Sequence, residues 1–128
     1  MTYDEVVAMV QKINLPCAYD HFAEGESPDP PFVVFLFPAS DNFFADGTVY
    51  HQQTELAIEL YTDIKQPQHE RSVENVLASN GIPWNKTEVW IEDERLYEVR
   101  YATVIDYDST ADEEKEENPN EEQGQVQP

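Results

Sequence analysis

The sequence predicts an α+β sandwich, with two helices packed on one face of a largely antiparallel sheet of four to five strands, in the order α-β-β-β-α-β-β. Three patterns lead there. Apolar residues recur at helical spacing near residues 3–13 and again near 67–77. They alternate strictly along residues 53–61. Two further alternating runs, 87–91 and 97–105, flank a short acidic turn.

The first helix opens on Thr2 and Glu5, a capping box in which the hydroxyl and the carboxylate each satisfy an exposed backbone N–H. Tyr3, Val6, Val7, Val10 and Ile13 then form one apolar face. Leu15-Pro16 ends the helix, because a residue before proline is pushed out of the α region. Cys17 to Phe22 can form a short strand, and 23–31 is an exposed connector rich in proline and acid. Phe32 to Phe37 carries β-branched and aromatic residues on both parities, as in a strand covered on both faces, and Pro38 stops it. Two helices could cover one of those faces; alternatively the second is sealed only by another copy.

Residues 38–48 read as a loop with Phe43 and Phe44 side by side among turn residues and an Asp46-Gly47 turn signal. The next strand places Thr54, Leu56, Ile58 and Leu60 on one side and Gln53, Glu55, Glu59 and Tyr61 on the other, so it should be half-buried. Pro67 suits the first turn of the second helix, Val73, Val76 and Leu77 form its stripe, and Asn80-Gly81 ends it. Thr87, Val89 and Ile91 mark one strand of a closing hairpin. After the Glu92-Asp93-Glu94 turn, Tyr97, Val99, Tyr101, Thr103 and Ile105 mark the other. Residues 1–107 thus make one domain. Residues 108–128 hold eight carboxylates and one lysine; too poor in apolar area to offset an ordering entropy of about 1–2 kcal/mol per residue, they are expected to be disordered.

The chain carries 27 acidic against 7 basic residues, a net charge of -20. Binding nucleic acid through a basic patch is not expected of it. Cys17 is the single cysteine, which excludes an internal disulfide and suits a reducing compartment. No apolar run approaches the roughly 18 residues of a membrane span, and the acidic start does not resemble a secretory signal.

Catalytic constellations are weak. His21, His51 and His69 fall in different elements. In a strand, Cys17 and His21 would stand about 13 Å apart, too far for a shared zinc ion. Ser27, Ser40, Ser72 and Ser79 lie in no nucleophile elbow. The pairs Glu24/Glu26 and Glu55/Glu59 and the run 92–94 are what a solvated acidic surface offers. No metal, no cofactor and no catalytic residue is therefore expected. The Phe43-Phe44 pair either caps the core or docks into a neighbouring subunit, where each buried ring contributes up to roughly 3 kcal/mol.

PFVVFLFPASDNFFADGTVYHQQTELAIELYTD, the short helix ending at Gly81 and the hairpin WIEDERLYEVRYATVI resemble the tail terminator family of long-tailed bacteriophages and of prophages of Gram-positive bacteria, also called tail completion or tail-to-head joining proteins. The resemblance covers roughly residues 1–106 and is densest in the DNFFADG loop with its following strand and in the WIEDERLYEVRY hairpin. It implies a non-enzymatic virion protein of the tail and neck, assembled in the host cytoplasm. It also implies a hexameric ring that caps the tail tube, contacts tail-tube protein on one side and a head connector or stopper on the other, and lets DNA through without specific binding. Asp41, Asn42, Phe43, Phe44 and Trp90 are then the expected subunit-interface residues. Acidic walls suit a DNA conduit, since like charge prevents sticking. The net charge alone supports a different class, an acidic DNA mimic that inhibits a host nucleic-acid enzyme. A hydrolase with an unrecognised carboxylate site is a third.

Overall fold

A computed structural model describes residues 1–40, 43–45 and 48–109, with 43–45 and 48–51 as backbone alone. Helix α1 spans Tyr3–Gln11. Both capping-box bonds form: Thr2 N–H donates to Glu5 Oε1 at 2.8 Å and Glu5 N–H to Thr2 Oγ1 at 3.1 Å. Asn14, at φ 67°, turns the chain out of the helix ahead of Leu15-Pro16. Strand β1 (Cys17–Tyr19) follows and is shorter than expected, because Asp20 takes a φ of 64° and His21 N–H turns back to Tyr19 O at 2.7 Å.

Strand β2 (Phe32–Leu36) runs parallel to β1. The sheet is therefore mixed, which corrects the largely antiparallel arrangement read from the sequence. The reason lies in the connector. Residues 20–31 amount to about the dozen that a parallel crossover needs, where a tight turn would have forced an antiparallel pair.

The stretch expected to be a loop at 38–48 holds most of a hairpin. β3 (Phe43–Ala45) pairs antiparallel with β4 (Thr48–His51), making a two-stranded sheet of their own; Asp46 and Gly47, read as a turn signal, lie outside the described residues. Strand β5 (Gln53–Thr62) returns beside β2, then helix α2 (Pro67–Ser79) follows with Pro67 in its first turn. Gly81, at φ 69°, closes α2. Its N–H donates to Ala78 O and that of Ile82 to Leu77 O, both at 3.0 Å, while Ile82 is buried. Strands β6 (Asn85–Ile91) and β7 (Leu96–Asp106) form the closing hairpin, and the five-stranded order is β1-β2-β5-β7-β6.

Register sorts the side chains. Val33 and Phe35, then Leu60, Ile58 and Leu56, then Val99, Tyr101 and Ile105 line one face. They form a single core with Val6, Met9 and Val10 of α1 and Val73 and Leu77 of α2. Among the described residues the other face carries no helix, yet Ala18, Val34, Ala57 and Glu59 on it are buried. β5 is thus buried on both sides rather than one. The expected disordered segment lies, from residue 110 on, outside the described residues; Asp108 N–H donates to Met1 O at 2.8 Å.

Candidate functional site

Of the residues expected at a subunit interface, Trp90 is placed most fully. It stands on β6, the outer strand of the sheet, and is 38% exposed. Tyr97, opposite it on β7, holds its ring at 4.7 Å between centroids, and the Arg95 guanidinium lies 5.9 Å above the indole. The indole N–H donates to Glu92 at 2.5 Å. Tryptophan, tyrosine and arginine together are the composition of interaction hot spots. Phe43 and Phe44 are neighbours in β3, which belongs to the other sheet, so the fold does not join them to Trp90 in one ladder. Asp41 and Asn42 lie outside the described residues.

A polar cluster that the sequence reading missed occupies the face opposite α1 and α2. Glu59 and Tyr61 project from β5, with Glu98 and Arg100 beside them on β7. The Tyr61 hydroxyl lies 3.0 Å from both Glu59 Oε1 and Glu98 Oε2, and Arg100 Nη1 donates to Glu59 Oε2. A phenol has one proton to donate, so two ionised carboxylates cannot both be satisfied by it. Burial pushes the Glu59 carboxyl up and Glu98 adds to this, against the pull of Tyr61 and Arg100. Burial and the same two carboxylates push the Tyr61 phenol up. Phe32 stacks on Tyr61 at 5.2 Å, and Phe22 of the connector meets Phe32 edge-on at 5.5 Å. The visible signal was two short spacings, Glu-x-Tyr and Glu-x-Arg, on the off-core parity of paired strands.

A second network ties α2 to β6. Buried Glu70 accepts Lys65 at 2.5 Å and Lys86 at 2.8 Å; Lys86 also meets Glu74 at 2.8 Å, and Lys65 meets Glu88 at 2.5 Å. The Tyr101 hydroxyl donates to Glu74 at 2.8 Å. Burial raises the Glu70 carboxyl, but the two lysines together outweigh it and hold the group below its ordinary value. Conversely, Glu70, then Glu88, holds the Lys65 ammonium high. Both lysines are engaged within the protomer, and the three carboxylates leave the network one negative charge in excess.

The remaining reactive groups stay apart. Cys17 is buried, its thiol pushed up by desolvation, while His21 is exposed and pairs with Asp20 at 2.8 Å. Among the described residues no three His, Cys, Asp or Glu side chains converge as metal ligands, and no helix is long and apolar enough to cross a membrane. A cleft of about 330 Å³ between Met1, Asn80–Pro83 and Val104–Asp106 has one carboxylate, Asp106, in its lining. Another of about 430 Å³, beside Gln11 and Asn14–Cys17, has none. Neither offers an acid–base pair. Compared with known proteins, the chain matches no protein-family model and no curated protein sequence.

Proposed function

We propose that this protein is a structural component of a siphophage virion, the tail terminator that assembles as a ring, caps the tail tube and joins it to the head connector or stopper. One observation carries the proposal. The segments of strongest resemblance, DNFFADG with the strand after it and WIEDERLYEVRY, fall on β3 and β5 and on the outer hairpin β6–β7. The second of these pieces presents an outer strand, β6, and the first includes β3, which is not part of the main sheet. Several acids in the domain, Glu59, Glu70, Glu74 and Glu88, are offset by Arg100, Lys65 and Lys86. The bulk of the -20 charge is left for exterior surfaces, in keeping with a wall that DNA passes without adhering.

Electron microscopy of phage particles assembled without the protein tests this. Overlong tails or tails without heads are expected. Normal, joined tails refute the assignment, and capture of a basic host nuclease or polymerase by the purified protein would favour a DNA mimic instead.

A further inference from the structure

Among the described residues, two features of the backbone have an open strand edge. The hairpin β3–β4 stands apart from the main sheet, with a register irregularity between Phe43 and Phe44. An isolated two-stranded hairpin is marginal in water and gains stability from a third strand. In the main sheet β6 is an outer strand of seven residues, exposed along its length apart from half-buried Ile91. Such edges are ordinarily guarded by proline, a bulge or free charge. β6 has neither proline nor bulge, and its two charges, Lys86 and Glu88, are engaged by Glu70, Glu74 and Lys65 of the same chain. Val89 is 49% exposed, and Trp90, though it packs on Tyr97 and Arg95, keeps 38% of its surface open. The opposite outer strand, β1, has three residues and offers far less to pair with.

Charge selects the occupant. Two copies of a chain at -20 repel wherever carboxylates face each other. Segment 85–91 balances Lys86 against Glu88, and segment 43–51 carries Asp46 as its one carboxylate. These two can meet without setting acid against acid. We infer that the β3–β4 hairpin of one copy adds to the β6 edge of the next, extending the five-stranded sheet through backbone hydrogen bonds. The contact joins unlike patches, so repetition propagates around a ring or along a filament. Trp90 of the receiving copy and Phe43 and Phe44 of the donor are placed on the paired elements. This interface rests on the proposed self-assembling ring and specifies how it is built.

Cross-linking between two full-length variants tests it. Thr48→Cys marks the hairpin and Thr87→Cys marks β6; buried Cys17 is left in place. The two proteins, one carrying a size tag, are mixed and treated with a short bis-maleimide. Linkage between the two variants is expected. A Thr87→Cys protein that links to itself shows edge-to-edge pairing and overturns the inference. Val89→Lys, on an exposed side chain, should raise the dissociation concentration in sedimentation by at least about tenfold, with the melting temperature of the dilute protein unchanged. An oligomer that persists without hairpin-to-edge linkage refutes this interface and leaves the ring standing. A monomer at every concentration refutes both.

Discussion

Replacing Arg100 with Met removes the cation from Glu59 while keeping an apolar stem of similar length. The Glu59 side chain is 10% exposed and that of Arg100 37%, so the pair lies between the buried and surface cases. Removing one partner of a fully buried pair costs about 3–5 kcal/mol, and exposed pairs contribute about 0–1. Discounting for the water that reaches Arg100, a loss of about 2–3 kcal/mol is expected at pH 8, where the Glu59 charge is left beside Glu98. A domain of this size should then melt roughly 10–15 °C lower. The pH dependence carries the sign. Glu59 is raised in the folded protein, so its contribution is fully present below the unfolded value of 4.5 and is lost as pH rises through the folded one. Without Arg100 the folded value moves further up, and the gap between variant and wild type widens with pH and closes in acid. Urea unfolding of both proteins from pH 4.5 to 8 measures it, and the difference cancels the general titration of the acidic surface. The Glu59→Gln background should abolish most of the effect. An equal loss at every pH, or an undiminished loss in that background, refutes the reasoning.

Tyr101→Phe removes the 2.8 Å bond to Glu74, which keeps Lys86, so urea unfolding should show a loss of about 1–2 kcal/mol and no change would contradict the bond. Glu70→Gln leaves Lys65 and Lys86 facing each other, with an expected loss of about 1.5–3 kcal/mol at neutral pH. Because Glu70 is held low when folded, that loss persists at pH 4.5 and fades only as pH falls through the folded value, the reverse placement from Glu59. Phe35→Ala empties a fully buried site packed edge-on against Tyr19 at 5.4 Å and should cost about 3–5 kcal/mol by thermal or urea unfolding.

Local chemistry made much of the fold legible. Thr2 with Glu5, Pro67 and Gly81 set both helices, and the alternation Thr54-Leu56-Ile58-Leu60 identified the core face of the central strand. The direction of β1 was not legible, because no residue in 17–19 encodes it; the path of the connector decides. β3 was hidden by neighbouring turn residues, which outweighed three apolar positions in the reading of 38–48. Glu59 and Tyr61 read as solvent-facing because alternation reports parity and is blind to what the next strand supplies. The polar cluster exists only once register sets Arg100 opposite Glu59. Trp90 could be named from its hairpin, but its exposed outer position depends on strand order, which no local pattern contains.

Strand order also imposes a hierarchy of loosening. β5 is bonded on both flanks, along Ala57–Tyr61 by β2 and over its whole length by β7, whereas β6 clings to the sheet by one side. Deuterium should enter β6 amides well before the middle of β5, so the rim can unzip and reseal while the centre of the molecule stays intact.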